Sequence, residues 1–120
     1  MGRKAIAIIM DCVFCKIADG TIPSKKVYED DKMLAFYDIE PAAPVHIVMI
    51  PKEHIASVDA LSEENSDVIA HIFSKASEIA RTVGLKNGYR ITTNCGPDGG
   101  QTVFHIHFHL MGGKTLGKMA

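Results

Sequence analysis

The chain has 120 residues, 47% of them hydrophobic, and a formal charge of −1 at pH 7. That length suits one hydrophobic core of ordinary size, and the apolar content is that of a globular domain. A charge so close to zero argues against electrostatic capture of nucleic acid or of an anionic membrane, so an anionic ligand has to be held by local geometry.

The first ten residues, "MGRKAIAIIM", set a basic pair before an apolar run too short for a signal sequence or a bilayer span. They are expected to be an extension, residues 1–10, ahead of a single domain over 11–120, and the protein is expected in the cytoplasm. Three cysteines, Cys12, Cys15 and Cys95, are too few for a disulfide scaffold. Cys12 and Cys15 form C-x-x-C, which in a reducing compartment suggests metal binding or redox work. The redox reading expects a βαβ setting that this sequence does not offer, and a plain alternative is two small buried hydrophobes.

Asp11 to Ala18 reads as a short helix, with Asp11 as N-cap and Gly20 just past its end. "KKVYED" and "MLAFYDI" read as two strands across a turn at Asp30–Lys32, and "APVHIVMIP" as a third, bounded by Pro44 and Pro51. From Ser62 the apolar period changes to 3.6, with Val68, Ile72, Ala76, Ile79 and Val83 in one stripe and Ile69, Phe73 and Ala80 beside it. Ser62 is expected to cap this helix and Gly84 to end it. His71 falls off the stripe and is expected at a surface or interface. "YRITTN" and "VFHIHFHLM" supply two more strands around the loop "CGPDGGQ". Five strands joined by short turns, with one long helix inserted, predict an antiparallel α+β sheet.

The last strand holds three of the six histidines at every second position: His105, His107 and His109. On a strand they share one face with Met111, about 6.6–7 Å apart, and Phe104, Ile106, Phe108 and Leu110 point into the core. Three readings follow: a solvated sheet face, a metal chelate of the HxH kind, or a nucleophilic histidine whose neighbours bind a charged group. The glycines of "CGPDGGQT" allow backbone N–H groups to converge on an anion, and Asn94 and Thr102 flank them. Beside three imidazoles, that loop is a plausible phosphate site.

"HIHFHLM" matches the signature His-φ-His-φ-His-φ-φ, with φ apolar, and so resembles the histidine-triad (HIT) family. The resemblance runs from about Cys12 to Lys114 through "CVFCKI", "AFYDIEPAAPVHIVMIPKEHI" and "NCGPDGGQTVFHIHFHLMGG". "GGQT" before the triad and "MGGK" after it are similar to the Hint branch, the purine nucleoside phosphoramidases. The resemblance implies the HIT fold and attack of His107 on the α-phosphorus of a nucleoside 5′-phosphoramidate. The amine leaves, and water releases the monophosphate from a nucleotidyl-histidine.

Carried over to this chain, His46 buttresses His107, and His109 contacts the phosphate or leaving group. Asn94, Gly100, Gln101 and Thr102 cradle the phosphate. Asp38 accepts from the ribose hydroxyls, and Val13, Phe14, Ile17, Phe36 and Ile39 form the base pocket. The bacterial proteins it resembles also imply a structural zinc on Cys12, Cys15, His54 and His105, and a homodimer formed through the long helix and "YRITT". Two departures stand out: the short tail "KTLGKMA", and Cys95 where an acidic residue is common. Three other readings remain: a dinucleoside polyphosphate hydrolase of the same superfamily, a zinc hydrolase with His105, His107 and His109 as ligands, and a nucleotide-binding module without catalysis.

Overall fold

Strands β1 (Lys26–Glu29), β2 (Met33–Tyr37), β3 (Val45–Pro51), β4 (Tyr89–Thr92) and β5 (Phe108–Gly112) form one antiparallel sheet in the order β1-β2-β3-β5-β4. Two α-helices, α1 (Val13–Ala18) and α2 (Asp67–Thr82), lie in the chain with them, as does a 3₁₀ turn at Val58–Ala60. The computed structural model describes residues 12–119. The proposed extension and Asp11 lie outside the described residues. The α+β class and the five-strand count agree with the sequence reading.

The central strands are apolar on both faces because both faces are covered. Met33, Ala35, Ile47, Met49, Phe108 and Leu110 pack under α2 against Ile72, Ala76, Ile79 and Ala80. Leu34, Phe36, Val48 and Ile50 face the other way and are met by Phe14, Ile17 and Ala18. Val48 pairs with His109, and His46 lies two residues before Val48, so His46 and His109 stand on this second face. The sheet therefore separates a large core under α2 from a smaller one that borders the histidines.

Four expectations change. The N-cap of α1 is Cys12 and not Asp11. Ser62 does not cap the long helix; its carbonyl and hydroxyl close a preceding turn, accepting from Asn65 and Glu64 N–H, and α2 begins at Asp67. The histidine strand starts only at Phe108. Ahead of it the Ile106 amide bonds the Ile55 carbonyl (2.6 Å) and the His105 carbonyl takes the His107 ring, so these backbone groups are unavailable to a sheet ladder. Phe104, expected in the core, is 57% exposed as a result.

Gly84, with φ +85°, ends α2 as expected. His71 on α2 bonds Asp30 in the β1–β2 turn, where Asp30 Oδ2 accepts from His71 Nε2 (2.6 Å) and Tyr28 Oη (2.8 Å). Asp30 Oδ1 accepts from the Lys32 and Met33 amides. Burial pushes the Asp30 carboxyl up, but the His71 bond and the others outweigh it and hold the group well below the usual carboxylate range. Asp30→Ala is expected to lower unfolding free energy by about 2 kcal/mol, read from the urea midpoint at pH 7. With a depressed folded pKa, that contribution is present above the ordinary value of 3.8 and lost as pH falls below it. Among the described residues no helix is long and apolar enough to cross a membrane.

Candidate active site and metal centre

The histidines of the second face differ in their hydrogen-bond partners. The His107 Nδ1 lies 2.8 Å from the His105 carbonyl, which can only accept, so Nδ1 carries the hydrogen. Among the described residues nothing engages the other nitrogen, Nε2, whose lone pair is the group a nucleophilic imidazole needs. Thr93 Oγ1 donates to the His107 carbonyl (2.7 Å), and Phe14 sits edge-on to the ring at 5.0 Å between centroids.

A second chain of bonds runs alongside. The Ala42 amide donates to His46 Nδ1 (2.9 Å), so Nε2 of neutral His46 carries hydrogen and donates to His109 Nδ1 (2.9 Å). The remaining hydrogen of neutral His109 is then on Nε2, where it can serve a bound anion. The His107 and His109 rings are 5.0 Å apart, closer than an extended strand would hold them. Burial first, then the neighbouring His107 and His46, pushes His109 down to about 4. Burial also lowers His46, and Asp38, 3.5 Å away, opposes the shift.

His105 turns away from this pair. Its Nε2 donates to the Pro51 carbonyl (2.8 Å), leaving the Nδ1 lone pair facing Cys12 Sγ (3.3 Å) and Cys15 Sγ (3.4 Å). His54 Nδ1 lies 3.2 Å from Cys15 Sγ. Cys12 is also the N-cap of α1, its sulfur accepting from the Cys15 amide. Two sulfurs and two imidazole nitrogens this close suit a tetrahedral zinc, whose S and N ligands stand about 3.5 Å apart. Burial, followed by the adjacent Cys12 thiol, pushes the Cys15 thiol up to about 12, so a cation would have to stabilise the thiolates. A carbonyl bond behind His105 is the usual way a metal-ligating imidazole is oriented. Cys12, Cys15, His54 and His105 could hold a metal ion.

Asp38, His46 and His109 also lie within reach of a common ion. The Ala42 amide blocks that use, because it holds His46 with hydrogen on the nitrogen that would have to coordinate. Among the described residues no metal-capable group unites His105, His107 and His109. The triad zinc hydrolase therefore loses its ligand set: His105 faces the cysteines, and His107 is bonded to a carbonyl.

The residues expected to hold a nucleotide are only partly assembled. Phe14 packs on Phe36 (5.8 Å between centroids) with Ile17 beside it, beneath His107. Val13 is 41% exposed and Ile39 95% exposed, so neither lines a closed apolar pocket. Asp38 stands next to His46, its other oxygen capping the Glu40 amide. Asn94 braces the glycine loop through the Gly99 carbonyl, and Gly100 takes φ +81°. Buried Gln101 donates to the Ala56 and Val103 carbonyls and accepts from the Gly96 amide, so its side chain is fully engaged within the protein. Thr102 is exposed beside it. Sequence reasoning missed Thr93, the Ala42 amide and the Pro51 carbonyl; only "TTN" ahead of the loop hinted at Thr93.

A family profile described as the scavenger mRNA decapping enzyme C-terminal binding region matches residues 11–119. An uncharacterized HIT-like protein of Rickettsia prowazekii is 52% identical over 106 residues, covering 87% of this chain and 88% of its own. Among solved structures, a HIT family hydrolase from Clostridium thermocellum is 48% identical with a TM-score of 0.87, over 91% of this chain and 96% of its own. A histidine triad nucleotide-binding protein from Candida albicans is 31% identical with a TM-score of 0.76, over 92% and 86%. Fold, site and relatives agree, and the chain belongs to the HIT family.

Proposed function

We propose that the protein hydrolyses nucleoside 5′-phosphoramidates, adenosine-based ones first, to the nucleoside monophosphate and an amine. The observation that carries this reading is the His107 ring, whose Nδ1–H is held by the His105 carbonyl, which directs the lone pair to Nε2. Nε2 attacks the α-phosphorus, the P–N bond breaks, and the amine departs with a proton. His109 Nε2–H, aligned through His46, supports the charge on the phosphoryl oxygens or the departing nitrogen. Water then attacks phosphorus and restores His107. The names of the Clostridium thermocellum and Candida albicans relatives, a hydrolase and a nucleotide-binding protein, support the two halves of the reading.

Zinc is the proposed occupant of the Cys12, Cys15, His54 and His105 cluster, with a structural part that ties α1 to the sheet. A homodimer is proposed through α2 and the free edge of β4, where Phe73 and Tyr89 are exposed; light scattering in solution checks it.

Intact mass after rapid acid-free quenching of an adenosine phosphoramidate reaction tests the chemistry. An adduct of one nucleoside monophosphate on the wild type, missing from His107→Ala, is the expected result. Turnover with no adduct under any trapping condition would point to direct attack by water and against this mechanism.

A further inference from the structure

Helix α1 has six residues, and they serve two sites. Cys12 (its N-cap) and Cys15 meet His54 and His105, while Phe14 between them lies edge-on against His107. His105 is a second bridge, because its Nδ1 faces the sulfurs and its carbonyl holds the His107 Nδ1–H. The ring beside the nucleophile and the residue whose carbonyl sets its tautomer thus both adjoin the sulfur cluster. Apart from the cysteine–histidine contacts, α1 meets the sheet through three partly buried side chains, Phe14, Ile17 and Ala18. Cys15 also borders a cleft of about 310 Å³ with Ala18, Asp19 and Lys52, room enough for a molecule as small as hydrogen peroxide.

We propose that Cys12 and Cys15 form a redox site controlling the nucleotide pocket: oxidation to a disulfide frees His54 and His105, unseats α1 and withdraws Phe14 from His107. The inference rests on the phosphoramidase reading for what the pocket binds, and on zinc as the occupant of the reduced cluster. The oxidant is a peroxide. One thiolate attacks a peroxide oxygen, the O–O bond breaks, and a sulfenic acid and hydroxide result. The second thiolate attacks that sulfur, the S–S bond forms, and the second oxygen leaves as hydroxide. Two electrons pass from the sulfurs to the peroxide, and two protons from solvent complete two waters. The sulfurs, which lie within 4.8 Å of each other in the cluster, close to about 2.05 Å. As a disulfide they no longer offer the two thiolates that a zinc ion requires.

The test takes the zinc-loaded full chain through a hydrogen peroxide titration. Intact mass, zinc released to a chromophoric chelator, and calorimetric affinity for adenosine monophosphate are followed together. ¹⁵N-histidine spectra of the same samples report the His107 ring without any nucleotide. The expected result is a loss of about 2 Da for the disulfide, release of the zinc, and affinity weakened roughly tenfold or more. The His107 signals change with it, and dithiothreitol plus zinc reverses everything. Phe14→Ala is expected to bind the nucleotide weakly from the start and to show no further loss on oxidation. Unchanged His107 signals and affinity in the oxidised wild type overturn the proposal, as does added oxygen mass in place of a disulfide. If the reduced zinc protein binds no adenosine monophosphate while oxidation still moves the His107 signals, the redox control stands and the phosphoramidase reading falls.

Discussion

His107→Ala is expected to slow turnover of an adenosine phosphoramidate by at least about 10⁴-fold while nucleotide affinity changes only a few-fold. The separation follows from the geometry. Removing this ring deletes the proposed nucleophile, whereas His109, Phe14 and the glycine loop, the proposed contacts of the ligand, remain. The loss should therefore fall on kcat, with KM for the substrate little altered. Steady-state kinetics paired with calorimetry on the same preparation reads both quantities. A mutant within tenfold of wild type would move the attack to another group.

Acid should weaken the fold over a definite window. His109 is held neutral, its pKa pushed down to about 4 by burial and then by the neighbouring His107 and His46, against an ordinary value of 6.5. Between those two values the unfolded chain takes up a proton that the folded chain refuses, so stability rises with pH there and is lost on acidification. At pH 4 the penalty from His109 alone reaches up to about 3 kcal/mol. His46 is shifted in the same direction. Urea unfolding at pH 7 and pH 4 measures the difference, and His109→Gln should remove most of this residue's share. An equal pH dependence in wild type and mutant would mean that His109 is as easily protonated in the fold as outside it.

The elements that repeat a simple pattern were legible in the sequence. The α2 stripe with its flank contains Ile72, Ala76, Ile79 and Ala80, which the fold buries, and the apolar runs of β2 and β3 were read as strands, though not as strands covered on both faces. C-x-x-C and the first of the alternating histidines, His105, come together with His54 in one cluster. The turn of His105 away from its two neighbours was implied by the resemblance and not by the pattern, because an alternating pattern implies one straight strand. The chain instead bends before Phe108, through bonds to Ile55 and within the triad itself, and this bend turns His105 toward the cysteines. Periodicity cannot report bonds between a ring and a distant carbonyl. Nor does the pattern show the bonds of Gln101, which the resemblance assigns to phosphate and whose side-chain amide bonds three backbone groups of the loop and its surroundings.

The Ala42 amide and the His105 carbonyl decide which nitrogen of His46 and of His107 bears hydrogen. A scan that truncates side chains one by one would pass over Ala42, since it is already alanine, and His105→Ala would delete a ring while leaving its carbonyl in the chain. Two of the groups that set these tautomers are thus backbone groups, an N–H and a carbonyl. Replacing the Ala42 amide by an ester, which keeps the side chains and removes one N–H, would expose it as a protonation defect in a protein of unaltered side-chain sequence.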